Sequence, residues 1–584
     1  MEVSIPILLV LITTACAARL GSCHGYDDEC LQECHGYECL KEYVERPDPA
    51  YRWEDTGHRL VVGDYLGRGG WTGYYLNLTS QQWLTEEETS HPLWWHILVV
   101  VVPDHLEVLD IAGLWITDGD NKNWDFQPDL TDYNLLVVAD MATSVKAPVA
   151  ALFQVPNGPI VFADDPLQSH RTEDAAIAFT WWHFLNDPEK NAEYILNMPM
   201  TKAGVKAMDA VQEFFTSDTA PEEIQELGVN PTQFIVAGAS KRGWTTWMVG
   251  AIDPRVMGII PVVMDELNFA KNIKHHYRSY GGWSVVLKDY WKLNLTLYLD
   301  SPEMQEAFDI IDPFAYRDKL LMPKLVCNTA DDEFFMPDNT RNWWHDMPME
   351  YEMNKFLTLP NTDHITVTGI LELLPAVNTW VKELYWAHTK LKKKYNGERP
   401  PVTTIEERND ASIELMSVSA IPRFNWTIDE QTGDITVQSE RKPKSVHLWH
   451  ASTCNDERRD FRLTNNDDPC DCGIVVQDMC FNLRIGWASQ ELEETSPGRY
   501  EYWISFANIV ILGSLTWVAH QRPPIDGRWK AFFVDLQFDG TVGRTAGWPA
   551  GRDGILEFTT SISIVPNTFP YDECEGAECL GDLV

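Results

Sequence analysis

The residues of this chain with the clearest potential for chemistry surround one serine, Ser240, in the stretch GASKRG at residues 238–243. Apolar residues typical of a β-strand precede it, and a run compatible with a helix follows. A serine hydroxyl becomes an effective nucleophile when a tight strand-to-helix turn exposes it beside a base. The pattern predicts Ser240 as a nucleophile, although it also fits an ordinary turn with a helix N-cap. Arg242 stands where the usual motif has its second glycine.

An acid and a base follow this serine along the chain. Asp332 comes just after one predicted strand, residues 324–329, and His364 just after another, residues 356–360. Serine, acid, histidine is the chain order of the triad in α/β-hydrolases. We therefore predict that Ser240, Asp332 and His364 form a catalytic triad.

The position of the acid and the donors for an oxyanion are less sharply defined. Asp331 is an alternative to Asp332, and Asp338 is a weaker one. In this fold the backbone N–H after the nucleophile and an N–H in the loop after the third strand stabilise the oxyanion. These donors would be Lys241 and Gly119, although the loop around Gly119 also fits a plain turn.

The elements that must position these residues alternate along the sequence. The apolar, β-branched run at residues 94–102 predicts a strand buried on both faces. From there to residue 263 strands alternate with helices, which predicts a mostly parallel sheet with helices on both faces. Residues 268–320 form an insertion between two strands and are predicted to be a cap. Its aromatic residues either line a pocket or pack the insertion itself.

The pattern changes after residue 395, so the predicted fold is an α/β-hydrolase domain, residues 45–395, followed by a β-sandwich-like domain, residues 396–565. Short alternating segments separated by turn signals, starting with residues 413–420, are typical of such a sandwich. A cysteine-containing tail occupies residues 566–584. His447 and His450 lie in the β-rich part and are predicted to be structural.

The N-terminus and the sequons indicate an extracellular protein. An apolar run at residues 5–12, followed by Ala15-Cys16-Ala17, predicts a signal peptide over residues 1–17, although no lysine or arginine precedes the run. Asn-X-Thr sequons predict glycosylation in such a protein, at Asn77, Asn294 and Asn425.

Twelve cysteines support secretion, because most of them cluster in short segments. Cys327 lies in a predicted core strand and is expected to be a free, buried thiol. A cysteine-rich segment at residues 18–44 and the tail are too short and polar to fold without covalent links. We predict disulfides at Cys23, Cys30, Cys34, Cys39, Cys454, Cys470, Cys472, Cys480, Cys574 and Cys579, with the pairing left open.

The composition excludes several classes of partner. With 46 basic and 87 acidic residues the chain carries a formal charge of −41, which repels nucleic acids and anionic membrane surfaces. No apolar run is long enough for stable membrane insertion. The zinc patterns C-x-x-C and H-E-x-x-H are absent, and His275-His276 is a weak metal signal, so we expect no metal and no cofactor.

Five stretches together resemble one family of proteins. They are RTEDA at 171–175, MPMTK at 198–202, GASKRGW at 238–244, IDPF at 311–314 and DDEFF at 331–335. They resemble the PhoPQ-activated pathogenicity-related family, which includes secreted autocrine proliferation repressor proteins, most clearly over residues 45–395. The resemblance implies an α/β-hydrolase fold with Ser240, Asp332 and His364 as the triad, and places Arg242 within the family pattern.

Three functions are consistent with these features. The first is a secreted serine hydrolase acting on a peptide or small ester, and the resemblance implies that it is similar to dipeptidyl peptidases. The second is a secreted signalling protein that uses the same fold to bind a cell-surface receptor. The third is a carbohydrate-directed esterase, because the 24 tryptophans offer faces for sugar rings, although tryptophan is more often core.

Overall fold

The structure of the protein is a computed structural model. It describes residues 34–584 apart from 188–190, 219, 397–401, 467–469, 471, 478, 501–512 and 542–553. The predicted signal peptide, Cys23 and Cys30 lie outside the described residues.

A nine-stranded mixed sheet forms the centre of the molecule, with strand order β1-β2-β3-β5-β4-β6-β7-β8-β9. The first three strands and β5 pair antiparallel, whereas β5, β4 and β6 to β9 are all parallel. The strands are β1 Arg52–Val62, β2 Trp71–Gln82, β3 Leu93–Pro103, β4 Ile111–Ile116, β5 Val149–Leu152, β6 Gln233–Ala239, β7 Val256–Val262, β8 Lys324–Thr329 and β9 Asn354–Leu359.

Helices cover both faces of this sheet, which confirms the predicted α/β-hydrolase fold. Helices α2 and α11 pack together on one face, and α4 packs with α1 and α6 on the other. The helices are α1 Tyr37–Glu45, α2 Tyr133–Val145, α3 Glu173–Asn186, α4 Asn197–Thr216, α5 Glu222–Gln225, α6 Lys241–Ile252, α7 Phe269–Tyr280, α8 Lys288–Lys292, α9 Pro302–Ile311, α10 Glu350–Met353, α11 Ile370–Lys394 and α12 Ile405–Val418.

The burial of the central strands follows from their sequence. From Ile97 to Val102 every side chain of β3 is buried, as expected for a strand whose β-branched residues face packed helices on both sides. Strands β4, β7 and β8 are buried along their whole length. Because β4 to β9 run parallel, their carboxyl ends lie at one edge of the sheet, where ligand sites of such sheets occur.

The chain between β7 and β8 is helical, and its role as a cap stays a prediction. It contains α7, α8 and α9 together with short 3-10 turns such as Val285–Leu287, Leu295–Tyr298 and Pro313–Lys319. Helix α9 begins with Ser301, whose hydroxyl accepts the backbone N–H of Met304, and Pro302 follows at the first helical position. The insertion lies beside the carboxyl ends of the strands and adds an aromatic layer there.

The C-terminal part is β-rich, as predicted. A four-stranded sheet, β10-β11-β18-β17, and a second sheet, β16-β12-β19-β20 with β21 on β19, pack through Phe424, Phe538 and Phe558. A small third sheet has the order β13-β15-β14. The strands are β10 Phe424–Ile428, β11 Ile435–Ser439, β12 Ser445–Ser452, β13 Thr464–Asn465, β14 Ile474–Val476, β15 Met479–Phe481, β16 Ala488–Glu491, β17 Ser496–Tyr500, β18 Gly513–Ala519, β19 Lys530–Asp539, β20 Ile555–Thr559 and β21 Ser563–Val565.

The prediction of an alternating segment at residues 413–420 is wrong, because most of that stretch belongs to helix α12. A capping box starts the helix: the Thr404 hydroxyl accepts the backbone N–H of Glu407, and the Glu407 carboxylate accepts that of Thr404. Leu415 is buried, and the helix packs against α11. The capping box and the packing against α11 therefore stabilise a helix here, although polar and apolar residues alternate as in a strand.

Among the described residues, four disulfides join cysteines that were predicted from the sequence to be oxidised. They are Cys34–Cys39, Cys454–Cys472, Cys470–Cys480 and Cys574–Cys579. Cys574 and Cys579 close on each other, which settles the pairing left open for the tail. Cys327 is buried in β8 as a free thiol, as predicted.

Candidate functional site

Ser240 occupies the turn between β6 and α6. Its backbone has φ 58° and ψ −127°, a conformation rarely adopted by residues other than glycine. The Ser240 N–H donates a hydrogen bond to the Val262 carbonyl of β7 at 2.8 Å, which anchors the turn to the sheet. The hydroxyl is thereby presented at the carboxyl edge of the sheet, the geometry of a nucleophile elbow.

Two glycines make this turn sterically feasible. A Cβ at Gly238 would lie 2.7 Å from the Arg242 carbonyl oxygen, and a Cβ at Gly243 would lie 2.9 Å from the Val262 carbonyl oxygen. Gly243 thus lets α6 approach β7 closely although it is shifted by one position from the usual motif. The Arg242 side chain leaves the turn and donates to the Val155 carbonyl and to the Glu173 carboxylate, each at 2.5 Å.

The three predicted triad residues lie within hydrogen-bond distance of one another. His364 Nε2 is 2.8 Å from Ser240 Oγ, and His364 Nδ1 is 2.8 Å from Asp332 Oδ2. A proton on Nδ1, donated to Asp332, leaves the Nε2 lone pair free to accept the serine proton. The arrangement can therefore perform general-base activation of a serine.

Asp332 is held in place by its own loop. Its Oδ1 accepts the backbone N–H groups of Phe334 at 2.7 Å and Phe335 at 3.2 Å, and its Oδ2 accepts the Thr329 hydroxyl at 3.2 Å. The Phe334 and Phe335 rings pack against the His364 imidazole, with centroid separations of 4.4 and 5.6 Å. These contacts shield the pair from water and fix the plane of the imidazole.

The two alternative acids face other partners. Asp331 accepts the Trp487 indole N–H at 2.9 Å and the Thr362 backbone N–H at 3.1 Å, and burial raises its pKa well above the usual value. Asp338 is buried in an ion pair with Arg459 at 2.8 Å and contacts His275. Asp332 is thus the aspartate that lies against His364.

Glu333 is a site residue that the sequence analysis missed. Its carboxylate accepts the backbone N–H of His364 at 3.1 Å and the Thr464 hydroxyl at 2.7 Å, so it links the histidine loop to the β-rich part. Burial and the charge of Asp332 raise the pKa of Glu333 to about 7. Its position directly after the two candidate acids, Asp331 and Asp332, could have indicated a role at the site.

Two cavities meet at Ser240. Cavity A, about 120 Å³, lies under the insertion and is walled by aromatic and aliphatic side chains, among them Trp181, Trp244, Tyr290 and Phe308. Cavity B, about 320 Å³, is more polar and lies between the β4 loop, α2 and the start of α11. Ser240 and Lys241 line both cavities, so a bound group could extend from Ser240 in two directions.

The charged groups of cavity A are few. The Lys241 ammonium is neutralised by Glu173 and Asp174, each at 3.1 Å. Glu266 faces the cavity and accepts the side-chain N–H of Asn339 at 2.8 Å. Burial, together with Asp265, raises the pKa of Glu266 well above its usual value. Glu266 follows the end of β7, a position that the sequence analysis also passed over.

Of the two predicted oxyanion donors, Lys241 lines cavity B and Gly119 does not. Lys241 begins α6, where backbone N–H groups point out of the helix. In the loop after β4 it is Asp118, next to Gly119, that lines the cavity. Gly119 has φ +143°, and a Cβ there would lie 3.2 Å from the Gln154 backbone nitrogen. The role of both donors stays a prediction.

The remaining predicted residues lie away from Ser240. Asn294 is exposed, whereas Asn77 in β2 and Asn425 in β10 are half-buried. His447 and His450 lie in β12. Within the described residues no group of three or more His, Cys, Asp or Glu side chains could hold a metal ion, and none of the described helices has the length and apolarity to cross a bilayer.

Solved structures with some likeness to this chain are distant. Acetyl xylan esterase 1 from Thermoanaerobacterium sp. JW/SL YS485 has 14% identity and a TM-score of 0.36, over 59% of this chain and 95% of that one. A glucuronoyl esterase from Solibacter usitatus has 13% identity and a TM-score of 0.33, over 58% of this chain and 89% of that one. These likenesses are too weak to support an argument about chemistry.

Sequence relatives are much closer. Autocrine proliferation repressor protein A from Dictyostelium discoideum is 32% identical over 547 residues, which is 93% of this chain and 93% of the relative. The model of the PhoPQ-activated pathogenicity-related protein family matches residues 40–391, which include Ser240, Asp332 and His364. This chain belongs to the PhoPQ-activated pathogenicity-related protein family.

Proposed function

We propose that this protein is a secreted serine hydrolase that cleaves a peptide or ester bond. The observation that carries the proposal is the connected set of hydrogen bonds from Ser240 through His364 to Asp332, located where two cavities meet. A serine on an ordinary turn would not need a strained backbone, a histidine at 2.8 Å and a buried carboxylate behind that histidine.

The reaction would proceed by acyl transfer. His364 Nε2 accepts the Ser240 proton while Ser240 Oγ bonds to the substrate carbonyl carbon, and the carbonyl π electrons move to oxygen. The imidazolium, stabilised by Asp332, then returns its proton to the departing amine or alcohol. Water repeats the two steps on the acyl-enzyme and releases a carboxylic acid and the free serine.

The polarity of the two cavities supports one orientation of the bound substrate. Cavity A is nearly all apolar, so it suits a bulky aliphatic or aromatic part of the substrate. Cavity B contains the N-terminus of α6 and the β4 loop, the two places where this fold binds the oxyanion. The scissile carbonyl would therefore face cavity B, and the part of the substrate in cavity A would be apolar except where it reaches Glu266.

Glu266 favours a peptide with a free amino group over a neutral ester. Its hydrogen-bond partner is the Asn339 amide, and two further carboxyl groups, those of Asp265 and Asp312, lie near it, so the site favours a cation over an anion. An ammonium entering beside Glu266 would ionise this carboxyl and form a buried pair. The change Glu266→Gln should raise KM for a peptide with a free amino terminus by at least about tenfold, and leave the acetylated peptide unaffected. Equal effects on both peptides would contradict this role.

The proposal is tested with a fluorophosphonate probe, which labels activated serines. Wild-type protein should be labelled, and Ser240→Ala should not be labelled or hydrolyse esters or peptides. Ser417→Ala is the control, because Ser417 is exposed in α12, far from Ser240 in the sequence, and its hydroxyl donates to the Glu414 carbonyl of its own helix. Absence of labelling in folded wild-type protein would leave the signalling alternative, in which Ser240→Ala retains receptor-dependent activity.

A further inference from the structure

The last part of the C-terminal tail, residues 571–584, packs on the insertion that covers cavity A. The Cys574–Cys579 disulfide closes it, and both cysteines are 1% exposed. They form a small apolar cluster with Trp283, separate from the main core. The tail, which is short and polar, is thus held in place by its packing against one wall of the insertion.

Hydrogen bonds from the tail fix two tryptophans of that wall. The Trp283 backbone N–H donates to the Asp582 carbonyl at 2.8 Å, and its indole N–H donates to the Cys579 carbonyl at 3.0 Å. The Trp291 indole N–H donates to the Leu580 carbonyl at 2.8 Å. Because an indole has a single donor, these bonds determine how both rings are oriented.

The insertion backbone fits against the tail with no spare room. A Cβ at Gly282 would lie 2.5 Å from the Asp582 carbonyl oxygen. A Cβ at Gly281, where φ is +69°, would lie 2.6 Å from the Tyr571 ring. A side chain at either position would therefore meet the tail, and the positive φ of Gly281 also favours glycine. The glycines at these two positions of the insertion thus permit its close contact with the tail.

The same wall faces cavity A on its other side. Trp283, Trp291, Leu287, Leu299 and Ile273 all line cavity A, and all belong to the cluster around the tail disulfide or pack against it. We propose that the disulfide-closed tail is the outer support of this wall and sets the size of the apolar group that cavity A accepts. The inference rests on the proposed function, in which cavity A receives the apolar part of the substrate.

Opening the disulfide should change selectivity more than rate. Without the closed tail the two indole N–H groups lose their acceptors, and the rings can turn away from the cavity into the space the tail occupied. Cavity A then lengthens. Ser240, His364 and Asp332 make none of these contacts, so hydrolysis of a short substrate should continue.

The test compares straight-chain p-nitrophenyl esters from butanoate to dodecanoate. In Cys574→Ser/Cys579→Ser the ratio of kcat/KM for the longest to the shortest ester should rise at least about tenfold over wild type. Trp291→Phe keeps a ring but removes the indole donor, and should shift the ratio in the same direction by a smaller factor. Cys34→Ser/Cys39→Ser is the matched control, since that disulfide spans the same five-residue separation but packs against the main core and not against the cluster around Trp283.

Three results would overturn the inference. One is an unchanged ratio in folded, probe-labelled Cys574→Ser/Cys579→Ser protein, another is an equal loss for all esters, and the third is an equal shift in the control. If the tail variant does not fold, Gly282→Ala takes its place, because its Cβ would displace the Asp582 carbonyl of the tail and the residue does not line cavity A. Calorimetry can measure the affinity of Ser240→Ala protein for alkyl methyl ketones of the same lengths. The dependence of this affinity on chain length reports the size of cavity A without catalysis. If the tail variant binds longer ketones than the protein with the intact tail does, the inference is supported. This holds even if wild-type protein is neither labelled nor active, because that outcome would contradict only the proposed function.

Discussion

Replacing Asp332 by asparagine tests the role of the acid with almost no change in shape. Oδ1 of Asp332 accepts the Phe334 and Phe335 N–H groups, and Oδ2 faces His364 Nδ1 at 2.8 Å. An asparagine would keep its oxygen on the two backbone donors and turn its NH₂ toward His364. The imidazole must then accept at Nδ1 and carry its proton on Nε2, where it can no longer take the proton of Ser240.

The expected loss follows from this change of tautomer. In a serine triad the substitution lowers kcat by about 10⁴, which corresponds to about 5.4 kcal/mol of transition-state stabilisation. Thermal unfolding should shift little, because the two backbone hydrogen bonds survive. The assay is kcat with a chromogenic ester at neutral pH, together with the rate of fluorophosphonate labelling.

Asp331→Asn is the matched control, because Asp331 contacts Trp487 and Thr362 and does not touch His364. It should keep kcat within about tenfold of wild type. The reasoning is refuted if Asp331→Asn loses as much activity as Asp332→Asn, or if Asp332→Asn retains wild-type activity.

Three further predictions concern stability. Gly238→Ala should destabilise the protein by at least about 2 kcal/mol, because the new Cβ meets a backbone oxygen at 2.7 Å, whereas Gly63→Ala, with nothing within 4 Å, should be neutral in urea unfolding. The pKa of Glu333, raised from 4.5 to about 7, means that the folded state keeps a proton the unfolded chain releases, so the free energy of unfolding should fall by up to about 3 kcal/mol as the pH rises from about 4.5 to about 7. Glu333→Gln should reduce that slope, and an unchanged slope would show that other groups cause it. Trp487→Phe leaves Asp331 short of one donor and should lower stability by about 1–3 kcal/mol, which thermal melts would detect.

Local sequence was sufficient for the elements that carry the predicted triad. Ser240 and His364 each follow an apolar strand, and the parallel order of those strands brings their ends to one edge of the sheet. The local sequence did not determine which of the two adjacent aspartates faces His364. That choice depends on which carboxylate Trp487 binds, and Trp487 lies 156 residues further along the chain. No local pattern contains that information.

Other features were missed although a signal existed. Thr404 and Glu407 form a capping box that predicts helix α12, but the alternation of residues 413–420 concealed it. Glu266 lies just beyond the carboxyl end of β7, where ligand sites of parallel sheets occur. Its role in lining cavity A depends on the insertion, whose packing no periodicity specifies.

The bonds from Trp487 to Asp331 and from Thr464 to Glu333 also bear on how the protein is made. A ribosome completes the serine, aspartate and histidine about a hundred residues before it reaches those two partners, and domains fold as they emerge. The loop that carries the acid can therefore reach its final form only after the β-rich part has been synthesised and has docked. A nascent or truncated chain would contain every residue of the triad and still hold them loosely. Activity would appear late in biosynthesis, together with the last packed strands.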